Sequence, residues 1–82
     1  MKGLARDLVQ VGSIIRRARK KQGWSQTELG ARAGVRQALI SLMENGKTAK
    51  LETVLIVLAA LDLEMQIAPR SRADTEKMED LF

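Results

Sequence analysis

The chain has 82 residues, carries a formal net charge of +4, and contains neither cysteine nor histidine. That length supports one domain near the lower limit for a self-sufficient core, so further burial by self-association is expected. The missing residue types exclude a disulfide framework, a thiolate or imidazole zinc site and imidazole acid–base chemistry. Charge is unevenly spread. The stretch Met1 to Ala73 is strongly basic, whereas Asp74 to Phe82 sets Lys77 against Asp74, Glu76, Glu79 and Asp80. A basic body favours a polyanion through phosphate neutralisation and counterion release, and the acidic tip would be repelled by that same polyanion. No apolar run is long enough to span a bilayer, and Met1 to Gly12 lacks the continuous apolar stretch of a signal peptide.

Met1 to Arg6 shows no strong pattern. Asp7 followed three residues later by Gln10 forms a capping-box candidate. Behind it Leu8, Val11, Ile15 and Ala18 recur at helical spacing, with Ile14 beside them, which predicts a first helix over about Leu8 to Lys21. Gly12 weakens that helix by roughly 1 kcal/mol relative to alanine. Its last turns carry Arg16, Arg17, Arg19, Lys20 and Lys21. Such a run complements the negative helix end and can be a solvated face only; it can also be a surface for phosphates. Gln22-Gly23 ends the helix. Trp24 is expected to pack between the first helix and the next one, because stacking platforms for single strands use several aromatics.

Ser25 to Gly46 is the most informative stretch. Ser25 with Glu28 makes a second capping box. A short helix is predicted over Gln26 to Ala33, with Leu29 and Ala33 on one face. Gly34 stops it by taking the left-handed conformation, Val35 and Arg36 fill a turn, and a second short helix runs from about Gln37 to Glu44 with Ile40 and Met43 facing inward. Asn45-Gly46 closes it. Two short helices joined by a tight, glycine-started turn have the form of a helix-turn-helix. A helical hairpin inside any small bundle would satisfy the same spacing. The second helix, however, exposes Arg36, Gln37, Ala38 and Ser41 where a purely structural helix would carry Glu and Lys. Short and amide side chains of this kind suit the edges of bases.

Lys47-Thr48-Ala49-Lys50 is a loop whose two lysines and hydroxyl flank the reading helix, where backbone phosphates would pass. The run LETVLIVLAALDL from Leu51 predicts a fourth helix ended by Asp62. It is apolar on more than one face, Ile56 included, so a second side is expected to be buried against another subunit. Leu63 to Ile67 alternates apolar and polar as a half-buried strand does, and Pro69 stops it. Lacking a second strand in the chain, this one is expected to pair with its copy across a two-fold axis, with Leu63, Met65 and Ile67 covering the fourth helix of both subunits. Residues 70–82 lack a core pattern and are expected to be a disordered acidic tail. Its Met78, Leu81 and Phe82 share one face of a single turn, either a chance apolar end or a segment that folds into a groove of a partner.

With these residues in place, the chain resembles the Cro/C1-type (XRE) helix-turn-helix family and, more narrowly, the HipB-type antitoxins. The marks are Arg19, Gly23, Ser25-Gln26, Glu28-Leu29, Ala33-Gly34-Val35, Gln37, Ile40-Ser41, Glu44-Asn45-Gly46, Leu51 and Leu61. The narrower resemblance rests on Gly23-Trp24, Arg36-Gln37-Ala38, and a strand plus acidic tail in place of a fifth helix. The implied fold is all-α: a compact four-helix domain over 1–69 with one C-terminal β-strand forming an intersubunit ribbon, then the tail over 70–82. The resemblance implies that Arg36, Gln37, Ala38, Ser41 and Leu42 face base edges. It implies that Ser25, Gln26, Lys47, Thr48, Lys50 and Arg17 meet phosphates, Gln26 also bracing Gln37. Arg19 and Glu44 would form an ion pair, and Ile56, Leu63, Met65 and Ile67 the dimer interface. Leu39, Leu42 and Ile56 depart from the family's usual polar or basic residues, and Arg36 lacks the usual small hydroxyl cap. Leu42 can touch a thymine methyl but cannot hydrogen-bond, so the departures bear on the operator sequence.

The expected function is a transcriptional repressor that binds palindromic double-stranded operator DNA as a homodimer, autoregulates its operon and neutralises a HipA-type kinase toxin. A stand-alone phage-like repressor and a small basic interaction bundle are the alternatives. An enzyme is not expected, since the carboxylates fall on caps and surfaces; no catalytic, metal or cofactor site is read. The resemblance also implies a cytoplasmic, nucleoid-associated protein.

Overall fold

Four helices form, α1 (Leu8–Gln22), α2 (Gln26–Ala33), α3 (Gln37–Glu44) and α4 (Leu51–Ala60), in a computed structural model that describes residues 3–47 and 49–70. α1 packs on α3, and α2 packs on both α3 and α4. Each helix sends one side chain completely out of water: Ile15, Leu29, Ile40 and Val57. Such side chains contribute about 1.5–3 kcal/mol each on burial. Ala18, Met43, Val54, Leu58 and Leu61 complete the core, and Trp24 packs half-buried against it. The Arg32 guanidinium lies 4.2 Å above the Trp24 ring, a cation–π contact, and also bonds the Glu28 carboxylate at 2.8 Å.

The helix starts obey local chemistry. Asp7 accepts from the Gln10 amide at 2.8 Å, but the Gln10 side-chain oxygen returns to the Arg6 amide, one residue outside a reciprocal box. Ser25 Oγ accepts from the Glu28 amide at 3.0 Å. The Glu28 carboxylate, expected to reach back to Ser25, turns instead to Arg32, one helical turn on.

All four helices end alike. A residue in the left-handed region succeeds the last turn, and the next amide reaches back to the carbonyl five residues earlier: Trp24 to Arg19, Val35 to Gly30, Lys47 to Leu42 and Leu63 to Leu58, at 2.8–3.2 Å. This is the Schellman arrangement. Glycine holds the left-handed position three times, but after α4 it is held by Asp62 at φ 61°. Asp62→Gly is therefore expected to stabilise the domain by roughly 0.5–1 kcal/mol, because relief of left-handed strain exceeds glycine's extra chain entropy. The melting temperature should rise by a few degrees. A fall would mean that the aspartate holds α4's end by some other contact.

Two glycines are required by close approach. α1 crosses the end of α3 at Gly12, where a Cβ would stand 2.2 Å from the Met43 carbonyl oxygen. α2 meets the turn at Gly30, where a Cβ would stand 2.5 Å from the Val35 carbonyl oxygen.

After α4, Leu63 remains half-buried on the core, while Met65 and Ile67 are exposed. The strand expected over Leu63 to Ile67 is not present in the single chain, where residues 63–70 have no regular structure and join no ladder. A strand exists only through a partner's hydrogen bonds, and among the described residues no other segment offers them. Thr48, and the tail residues Met78, Leu81 and Phe82, lie outside the described residues.

Candidate nucleic-acid interface

α1, α2 and α3 are tied together by one polar cluster built on the buried Glu44. Arg19, late in α1, bonds Glu44 at the end of α3 through Nε at 2.6 Å and Nη2 at 2.9 Å. The side chain of Glu44 is completely buried and that of Arg19 nearly so. The third corner of the guanidinium donates from Nη1 to the Trp24 carbonyl at 2.8 Å, so Arg19 also fixes the entry to the motif. Arg16, half-exposed, approaches Glu44 Oε1 at 3.5 Å. Burial alone pushes the Glu44 carboxyl up. Hydrogen bonds from Arg19, Gln26 and Arg16, and the Arg19 charge, outweigh burial and hold it below the usual carboxylate range. The Glu44 hydrogen bond raises Arg19, against the opposing effect of burial.

This buried carboxylate orders the surface above it. Gln26 Nε2 donates to Glu44 Oε1 at 3.1 Å. Gln37 Nε2 donates to Gln26 Oε1 at 3.3 Å. An ionised carboxylate only accepts, so Gln26 must turn its nitrogen inward and its oxygen toward Gln37. Gln37 must then donate one N–H to Gln26, which leaves its oxygen and second N–H facing outward. The first residue of α3 thus presents an acceptor and a donor in a defined orientation. The identity of Gln26 and Gln37 was readable in the sequence; their anchoring in Glu44 was not, because the link depends on how α2 crosses α3.

The other candidate residues surround this pair. Arg36 is the N-cap of α3 and makes no side-chain cap bond; with Gln37 and Ala38 it is exposed, while Ser41 is half-buried. Leu42 is 41 % exposed, although its helix neighbours Ile40 and Met43 are buried. Arg36, Ala38, Leu39, Leu42, Thr53 and Ile56 line one shallow apolar groove between α3 and α4, so Ile56 lies beside α3. Arg17, Lys47 and Lys50 are exposed, as is Ser25, whose hydroxyl accepts the cap bond and keeps its own proton for a further acceptor. Among the described residues no group of carboxylates, cysteines or histidines could hold a metal ion, and no described helix is long and apolar enough to cross a membrane.

Comparison with known proteins identifies the helix-turn-helix. Residues 15–67 match a family model described as Helix-turn-helix. The chain is 32% identical over 71 residues to Antitoxin HipB of Escherichia coli (strain K12), covering 85% of this chain and 81% of that one. Among solved structures, a HipA-HipB-O2-O3 complex aligns at TM-score 0.76 with 28% identity, over 85% of this chain and all of the matched one. The biofilm regulator SinR in complex with DNA aligns at TM-score 0.61 with 30% identity, over 66% of this chain and 89% of SinR. The match over residues 15–67 and the identity to HipB place this helix-turn-helix, with its Arg19–Glu44 pair beneath, in a known group: the chain belongs to the Cro/C1-type helix-turn-helix family, as a relative of the HipB antitoxins.

Proposed function

We propose that the chain is a sequence-specific DNA-binding repressor of its own operon and the antitoxin of a HipA-type kinase toxin. The observation that carries the DNA-binding half is the Gln37 amide, oriented through Gln26 by the buried Glu44. Its outward acceptor and donor match the N6 and N7 positions of an adenine edge. Arg36, Ala38, Ser41 and Leu42 complete the base-reading face, and Arg17, Ser25, Gln26, Lys47, Thr48 and Lys50 hold phosphates beside it. The relationship to HipB, which is solved together with HipA, supports the partner. The similarity to SinR over a shorter stretch favours the second reading, a stand-alone repressor; co-purification with the product of the adjacent gene separates the two. The apolar turn Met78, Leu81 and Phe82 of the tail would serve as a docking segment for that partner.

The site is tested by binding to duplexes selected from a random pool. Gln37→Ala should lose about 1–3 kcal/mol at one base position, whereas Lys47→Ala should weaken all sequences alike and flatten the salt slope by about 1. Equal loss on every duplex for Gln37→Ala would remove α3 as the reading helix.

Binding a palindrome whose half-sites lie about 34 Å apart, or a multiple of that, requires a dimer. Leu63, Met65 and Ile67 of two copies would form the ribbon, with Ile56 at the same interface. Burying the exposed Met65 and Ile67 gives the pairing its driving force. Met65→Pro removes a ladder donor and should convert a sedimenting dimer into a monomer. A wild-type monomer at micromolar concentration counts decisively against the ribbon.

A further inference from the structure

We propose that the acidic segment Asp74 to Phe82 folds back onto its own chain, seats Met78, Leu81 and Phe82 in the groove between α3 and α4, and there competes with DNA. The docking goes beyond the DNA-reading role, and only its consequence for DNA rests on that role. The groove holds about 490 Å³, in the size range of clefts that take a ligand. Ala38, Leu39, Leu42 and Ile56 give it apolar walls. Leu42 is 41 % exposed and Ile56 44 % exposed, so the described residues leave these walls in water.

Charge and chemistry select the occupant. Arg36 lines the groove itself. Lys50 is the N-cap of α4, one turn before the groove residue Thr53, and Lys47 is exposed in the same loop. A fitting occupant is apolar and carries acid groups close to its apolar atoms. Met78, Leu81 and Phe82 can share one face of a helical turn, with Glu79 and Asp80 between them and Asp74 and Glu76 just before. The apolar stretch Leu63 to Ile67, by contrast, carries one carboxylate, Glu64. Reach is no obstacle. Ile56 lies one turn before the end of α4 at Ala60, about 6 Å along the helix, and the chain from Ala60 to Met78 can span up to roughly 60 Å. A tethered segment meets its site at an effective concentration on the order of millimolar, so a weak contact suffices. Once docked, its carboxylates lie on Arg36, Lys47 and Lys50, the cations that DNA would use, and its apolar turn covers Ala38 and Leu42. DNA must displace it. The same turn cannot fill the groove and dock on a partner at once, so a partner that takes the tail uncovers α3.

The docking is read first without DNA, from methyl resonances of the full chain in solution. The triple variant Met78→Ser, Leu81→Ser, Phe82→Ser keeps every charge. Relative to the wild type it should move the Leu42 and Ile56 methyls and leave those of Leu8, exposed at the start of α1, in place. Unmoved Leu42 and Ile56 methyls overturn the docking. A difference that vanishes on dilution would place the segment on another copy, and overturns it too. The competition is read on one duplex of arbitrary sequence at one fixed salt concentration. A segment that fills the groove for about two thirds of the time weakens binding about threefold, so the serine variant should bind about threefold more tightly than the wild type. The charge variant Asp74→Asn, Glu76→Gln, Glu79→Gln, Asp80→Asn should also bind more tightly. If the charge variant binds more tightly and the serine variant does not, the segment acts by repulsion alone and the competition is overturned. If no form of the chain binds a duplex, the DNA-reading role fails by itself, and the methyl shifts still decide the docking.

Discussion

Gly12→Ala is expected to destabilise the domain by about 1–3 kcal/mol, although alanine is the better helix former by roughly 1 kcal/mol. The steric term wins because of what the new methyl would meet. Its nearest neighbours are the Met43 carbonyl oxygen at 2.2 Å, the Glu44 carbonyl oxygen at 2.8 Å and the Glu44 carbonyl carbon at 2.9 Å. These are backbone atoms, which cannot rotate away as a side chain would. α1 or the end of α3 must shift, and that shift would pull on the Arg19–Glu44 pair across the same contact. Thermal unfolding against Ser13→Ala, an exposed position on the same helix, is the check. Gly12→Ala melting at or above the wild-type temperature would mean that the helices do not cross this closely. Gly30→Ala should behave similarly, for the same reason at the Val35 carbonyl.

The contrast between Gly12 and Gly34 shows what a sequence of this kind discloses. Gly34 acts on its own chain neighbours: it ends α2 at Ala33 as its position predicts, and Ser25 starts α2 by an equally local bond. α2 and α3 accordingly have the boundaries their residues suggest. Gly12 looks like a small defect in α1 until α3 is laid across it, and nothing in its neighbours indicates the crossing. The reach of Gln26 to Glu44 was hidden for the same reason, since 18 positions separate the partners. Asp62 was legible as the end of α4 but not as a left-handed residue, because aspartate gives a weaker signal than glycine there. The apolar alternation of Leu63, Met65 and Ile67 was legible, and a partner strand for it could not be, since the proposed ladder would need a second chain. The excess of apolar residues on α4 was likewise visible; the structure leaves Leu51, Leu55 and Ile56 at its surface and puts Ile56 in the groove beside α3.

Breaking the Arg19–Glu44 pair from one side should have the largest effect of all. Either Arg19→Ala or Glu44→Ala leaves the opposite charge buried without its partner, and the expected loss is about 3–5 kcal/mol, a large fraction of a small domain's total. Replacing both, as Arg19→Met with Glu44→Leu, removes the attraction and the desolvation cost together, so the double variant should be more stable than either single one. The pair also sets an acid limit. Glu44 is held below its usual range, so its contribution is complete above the ordinary carboxyl value of 4.5 and is lost as pH falls through the lower folded-state value. The wild type should lose stability across that window, and the double variant should lose less. If the single variants melt with the wild type and their coupling is near zero, the pair is inert. The proposed DNA-reading role gives a second readout. With leucine at position 44, Gln26 has no carboxylate to face, so its amide is free to turn and Gln37 is no longer held in one orientation. A well-folded double variant should therefore keep its salt-dependent affinity for duplex DNA while discriminating less at the base that Gln37 reads. Undiminished discrimination would show that Gln37 orients itself without the buried carboxylate.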